Sequence, residues 1–122
     1  MPKMLNMMLV YPVSTNKVWK HGKNRVYLNP KVVDYRTEVW AATFGKTRFE
    51  NDERLKLEIN MWPPRKNCDI DNILKTLLDA LQHARVFAND NQIDELIVHK
   101  MPVRSGGEIE ITLTDISPEI EY

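Results

Sequence analysis

Leu55-Lys56-Leu57-Glu58-Ile59-Asn60-Met61 alternates apolar with polar residues, Trp62-Pro63-Pro64 stops the alternation, and Asp69-Ile70-Asp71-Asn72-Ile73-Leu74-Lys75 opens a run with a different period. A period of two marks a strand with one buried face. From Ile70 onward the apolar positions are 70, 73, 74, 77, 78 and 81, a single stripe on a helix that fades near Arg85. A strand and a helix, joined by a short Pro-containing link, set the class. Upstream, residues 4–11 read as a strand broken at Pro12, and residues 17–29 as either a hairpin or a loop. Asn29-Pro30 starts a helix, since Asn caps the first turn and Pro suits its opening position. Its apolar set is Val32, Val33, Tyr35, Val39, Trp40 and Phe44, up to Gly45. Downstream, Asn89-Asp90-Asn91 is a turn signal, and residues 93–99 and 108–114 are two further strands, joined through Pro102 and Ser105-Gly106-Gly107. The expected fold is one small α+β domain over residues 1–122, with two helices and a mostly antiparallel or mixed sheet.

Composition agrees. A chain of 122 residues can bury roughly two-thirds of its unfolded surface without a staple. It has one cysteine, so no internal disulfide. The apolar start at residues 4–10 is too short for a membrane span. The expectation is a soluble cytoplasmic protein with no membrane partner. The neutral total, 17 Lys+Arg against 17 Asp+Glu, conceals an asymmetry. Residues 1–68 hold 13 Lys/Arg and 6 Asp/Glu; residues 69–122 hold 4 and 11. Either these charges interleave in space, or a basic nucleic-acid surface lies beside an acidic metal site.

The acidic half contains the most specific local pattern. If residues 69–71 are extended, Asp69 and Asp71 point to the same side. Asp71 then caps the helix or sits in its first turn, and Lys75 lies four residues on, on the same helical face. Asp90 lies beyond the helix, and spacing does not decide whether it returns to the helix start. Carboxylates brought together repel, and a cation relieves the repulsion. Oxygen-only ligands suit Mg²⁺ or Mn²⁺. Beside such an ion, Lys75 would stabilise charge on a phosphate, which makes metal-assisted phosphodiester hydrolysis the reaction class. The plainer alternative is a capping Asp71, a Lys75 paired with Asp71 or Asp79, and a turn-forming Asp90. An EF-hand, a P-loop, a dinucleotide fingerprint and a zinc pattern are absent. The basic half interleaves Lys17, Lys20, His21, Lys23, Arg25, Lys31 and Arg36 with Trp19 and Tyr27, and Arg65-Lys66 precede the acidic pair. Lys and Arg neutralise phosphates and aromatics stack on bases, so Lys17, Lys20, Lys23, Arg25, Arg65 and Lys66 are the candidate DNA contacts.

These residues carry a resemblance. Pro64-Arg65-Lys66-Asn67-Cys68-Asp69-Ile70-Asp71-Asn72, Lys75, Asp79-Ala80-Leu81, Asp90, Gln92, Val98-His99-Lys100-Met101-Pro102-Val103 and Gly106-Gly107 are similar to the RusA family of Holliday-junction resolvases, typically encoded by prophages. Pro12-Val13-Ser14-Thr15-Asn16 and Tyr35-Arg36 extend the likeness over nearly the whole chain. The resemblance implies a homodimeric Mg²⁺-dependent endonuclease, with Mn²⁺ a possible substitute. It would cut four-way junction DNA in recombination and repair, leaving 5′-phosphate and 3′-hydroxyl ends. It puts the family's essential aspartates on Asp69, Asp71 and Asp90, and its lysine on Lys75. Family members often carry Arg immediately before the first aspartate, where this chain has Cys68. A catalytically weak or inactive DNA-binding dimer of the same fold is the alternative. Two symmetric cuts need two sites, which a two-fold dimer of a small chain supplies.

Overall fold

The computed structural model describes residues 2–12, 19–22 and 25–118, with the backbone alone at 19–22 and 25–28. The alternation at 55–62 becomes strand β4 (Leu55–Trp62), the centre of a four-stranded sheet. Leu55, Leu57, Ile59 and Met61 are fully buried, while Lys56, Glu58, Asn60 and Trp62 are half-buried on the other face. β4 pairs antiparallel with β6 (Glu108–Asp115), and β6 pairs antiparallel with β1 (Met4–Val10). On its other side β4 pairs parallel with β5 (Ile93–Lys100), from Leu55↔Ile93 to Met61↔Lys100. The order is therefore β1-β6-β4-β5, with β5 at the edge. Residues 19–22 and 25–28 form a separate hairpin, β2 (Trp19–Gly22) and β3 (Arg25–Leu28). Within the segment read as either a hairpin or a loop, residues 19–22 pair with 25–28 as a hairpin.

Both helices cover one face of the sheet. Helix α1 (Pro30–Thr43) begins as read: the Asn29 carboxamide oxygen accepts from the Lys31 amide at 3.0 Å, with Pro30 in the first position. Its buried stripe is Val32, Tyr35, Val39 and Thr43. Tyr35 ties the helix to the sheet by donating to the Val10 carbonyl at 3.0 Å. Val33, Trp40 and Phe44, expected on the apolar face, stand exposed one residue round from it. The expected helix from Ile70 starts as a 3₁₀ turn at Asp71–Ile73 and continues as α2 (Leu74–His83). Ile73, Leu77, Ala80 and Leu81 pack against the sheet.

The β4–α2–β5 unit dictates the layout. Two adjacent parallel strands require the chain to return to its starting end between them. α2 makes that return. Everything just before α2 sits at the Trp62 end of the sheet, and everything just after it at the Leu55 end. At the Trp62 end the chain is pinned by Arg104 N–H to Pro63 O at 2.9 Å and by the Arg104 guanidinium 4.3 Å over the Trp62 ring. Gly107 fits there because it takes φ +70°, and a Cβ would lie 2.8 Å from the Tyr11 ring.

Candidate functional site

The loop from Pro63 to Ile70 carries the first half of the site. Arg65, Lys66, Asp69 and Asp71 are all exposed on it or directly after it. Lys100, the last residue of β5, donates to the Lys66 carbonyl at 3.0 Å, so the loop is fastened to the end of the edge strand. Cys68 is half-buried against the Tyr11 phenol, whose hydroxyl ionisation is pushed up by burial first and by the thiol second. The local conformation differs from the expectation for residues 69–71. Ile70 is helical (φ −61°, ψ −42°), not extended, so strand alternation does not align the two carboxylates. They belong instead to one tight turn. The Asn72 amide reaches back to Asp69 Oδ2 at 3.5 Å, and Asp71 opens the 3₁₀ turn. Negative charge at this position also meets the positive end of α2.

Lys75 follows in the first turn of α2, its side chain 67 % exposed, and pairs with Asp79 at 3.4 Å rather than with Asp71. An exposed pair of this kind contributes little to stability, so the ammonium is available to an anion.

The second half of the site lies at the other end of the sheet. Asp90 opens a 3₁₀ turn, Asp90–Gln92, between α2 and β5. Gln92, 98 % buried, fixes this turn with four hydrogen bonds. Its carbonyl oxygen accepts from the Ala88 and Asn89 amides at 2.9 and 3.0 Å, and its amide donates to the carbonyls of Glu50 and Glu53 at 2.7 and 3.0 Å. Asn89 and Gln92 together make a capping box. Gln82 accepts from the Asp90 amide at 3.1 Å. Arg54 donates to the Asn91 carbonyl at 2.6 Å, and its hydrogen bond to Asp94 holds that carboxyl below the usual carboxylate range. The Asp90 carboxylate is left exposed on a rigid mount.

Replacing Gln92 by Ala would leave four part-buried backbone groups without these partners. The expected cost is about 2–4 kcal/mol, seen as a lowered Tm, together with loss of whatever function depends on Asp90.

The expected trio is therefore divided. Asp69 and Asp71 share a turn, but Asp90 adjoins Gln82, which is about 16 Å along the helix from Asp71 at 1.5 Å per residue. Among the described residues no three His, Cys, Asp or Glu side chains lie close enough to hold a metal ion. The Asp69–Asp71 pair does fit a hydrated Mg²⁺ or Mn²⁺. Its donors are carboxylate oxygens, both exposed, and Mg²⁺ commonly takes one or two carboxylates and keeps its waters.

Of the candidate DNA contacts, Arg65 and Lys66 stand beside the acidic pair. Lys20 lies on β2 and Arg25 on β3, while Lys17 and Lys23 lie outside the described residues. The scaffolding roles of Gln82 and Gln92 were not read from the sequence. Asn89-x-x-Gln92 has capping-box spacing and was the available signal. Among the described residues no helix is long and apolar enough to cross a membrane.

The family model described as Endodeoxyribonuclease RusA matches residues 10–114. The crossover junction endodeoxyribonuclease of Enterobacteria phage 82 is 31 % identical over 114 residues, covering 91 % of this chain and 94 % of the relative. The protein of the same description from Escherichia coli strain K12 is 31 % identical over 116 residues, and that from Shigella sonnei strain Ss046 is 30 % identical over 114, each with the same coverage.

Proposed function

The chain belongs to the RusA family of endodeoxyribonucleases, and from that footing we propose that it is a Holliday-junction resolvase whose two active sites are each shared between two copies of the chain. The observation that carries the sharing is the division of the carboxylates between opposite ends of one sheet. Edge strand β5 supplies the means of joining them. Among the described residues it pairs on one side only, and it exposes Leu96 (44 %) and Ile97 (39 %) at its middle. An unpaired edge with apolar side chains is a template for another strand.

Pairing β5 antiparallel with β5 of a second copy, about a two-fold axis near Leu96 and Ile97, sets the start of each strand against the end of the other. The start carries Asp90, and the end holds the loop of Asp69 and Asp71 through Lys100. The neighbouring backbones would run about 4.8 Å apart. Each dimer would then have two sites, each with Asp69, Asp71 and Lys75 from one copy and Asp90 from the other. Two-fold symmetry presents these sites to strands of like polarity.

In such a site the three aspartates would hold Mg²⁺ or Mn²⁺, which when bound lowers the pKa of a water and neutralises charge on the scissile phosphate. Lys75 leaves Asp79 for the phosphate, where its charge counts for more as the negative charge on oxygen grows. Arg65 and Lys66 hold the flanking backbone. Gln92 and Gln82 keep Asp90 from moving as the charges around it change.

The test is cleavage of a labelled four-way junction against a matched linear duplex with Mg²⁺, Mn²⁺ or EDTA. Paired, metal-dependent cuts in the junction alone are expected. Asp71→Asn should reduce them by about a thousandfold or more, since metal binding and activation fail together. In EDTA the same variant should melt at nearly the wild-type temperature, because relief of the repulsion from Asp69 is offset by the loss of negative charge at the positive end of α2. Asp71→Ala should lose cleavage equally, since neither the 3₁₀ turn nor α2 has a side-chain capping hydrogen bond for Asp71 to supply. No preference for the junction would sink the reading.

A further inference from the structure

The end of α2 has a backbone feature that the shared active site does not use. The helix closes with Arg85 N–H to Gln82 O and Val86 N–H to Leu81 O, both at 3.0 Å. That closure puts the residue after the cap in the left-handed region, and Arg85 is there at φ +62°. Among the described residues it is the one non-glycine with positive φ. Glycine is the residue that takes this position without strain. A strained conformation retained by a long cationic side chain invites the question of what the side chain does.

Arg85 is exposed and makes no side-chain hydrogen bond or ion pair with any described residue. It lines an open cleft of about 640 Å³ together with Arg36, His83, Gln82, Asn51 and Asp79. Arg36 enters from α1, and its Nε is buried without a hydrogen-bond partner. Asp79 is the acidic side chain of the cleft and is already engaged with Lys75. Two guanidiniums and an imidazole thus face a space with no free carboxylate among its lining. Gln82, one of the lining residues, also accepts from the Asp90 amide, so the cleft adjoins the turn that carries Asp90.

We infer that this cleft binds DNA backbone phosphate next to the cutting site, with Arg85 and Arg36 as its cationic contacts and His83 as a further donor. The inference rests on the resolvase reading and deepens it. A strand held here passes Asp90 on its way to the metal-binding turn. Arginine suits the task because its planar fork meets two phosphate oxygens at once.

The experiment compares wild type with Arg85→Gly, Arg85→Lys and Arg36→Gln. Binding of a synthetic four-way junction is measured in EDTA over a salt series, and Tm is measured alongside. Arg85→Gly should raise Tm by about 2–4 °C through relief of the left-handed strain. The same substitution should weaken junction binding by roughly tenfold at moderate salt, and flatten the slope of log K against log salt by about 0.9 for the lost contact. Arg85→Lys should keep most of the affinity with unchanged Tm. Arg36→Gln should weaken binding similarly and lose no hydrogen bond made in the free protein. If Arg85→Gly is more stable and wild type and variant bind the junction equally, the cleft inference is overturned while the resolvase reading stands. If wild type itself shows no salt-dependent junction binding, both fall.

Discussion

Mixing two inactive variants should restore cutting. Asp71→Asn and Asp90→Asn each remove a carboxylate from both sites of a homodimer, so neither cleaves alone. In a mixed dimer with shared sites, both substitutions fall in the same site. The other site then takes Asp69 and Asp71 from the Asp90→Asn copy and Asp90 from the Asp71→Asn copy, and is intact. Random exchange makes about half the dimers mixed, so about a quarter of the sites are whole. The product is diagnostic, because one competent site nicks a junction in one strand and does not resolve it. Gel analysis of an end-labelled junction after unfolding and refolding the mixture measures this directly. If each site were built within one chain, every site of the mixed dimer would lack one aspartate, and no nicking would appear. That outcome would end the shared-site proposal and leave the family assignment untouched.

Leu96→Lys should be nearly silent for folding and severe for activity. Leu96 is 44 % exposed in the single chain, in the middle of an edge strand, so its replacement should change monomer stability by only about 0.5 kcal/mol. In the proposed dimer two copies of it meet near the two-fold axis. Losing that burial twice removes about 4 kcal/mol, roughly a thousandfold in dimer affinity, before the repulsion of two ammonium groups is added. Sedimentation should give a folded monomer with an unchanged Tm, and junction cleavage should vanish at concentrations where wild type is fully active. A monomeric Leu96→Lys that still cuts would refute the sharing.

The sequence was legible wherever one periodicity governed an element. Leu55 to Met61 and Ile73 to Leu81 each present one buried face as expected, but Ile70, expected to open the helical stripe, lies before the helix and is exposed. Legibility stopped where a residue answered to something other than the core. Val33, Trp40 and Phe44 are apolar yet exposed, which a helical pattern alone cannot separate from the buried stripe of Val32, Tyr35 and Val39. Asp69, Asp71, Asp90 and Lys75 were chosen for their chemistry, and three of the four do share one end of the sheet. Asp90 does not. Its place follows from the parallel pairing of β4 with β5, a long-range fact that no local spacing encodes. The sequence pattern marks Arg85 only as the fading end of a helix, and a left-handed arginine has no sequence signature because glycine is the residue expected there.

The return of the chain through α2 has a consequence for the timing of cutting. On the shared-site proposal, a chain that keeps Asp69 and Asp71 at one end of its sheet and Asp90 at the other would be harmless while alone. Newly made chains would leave DNA untouched until a second one arrives, and at low abundance the cutting rate would rise with the square of the amount of protein. A cell that produces few copies would be almost free of breaks, and a burst of synthesis would switch cutting on steeply. No inhibitor or modification is needed for that threshold, because ten residues of helix, Leu74 to His83, create it.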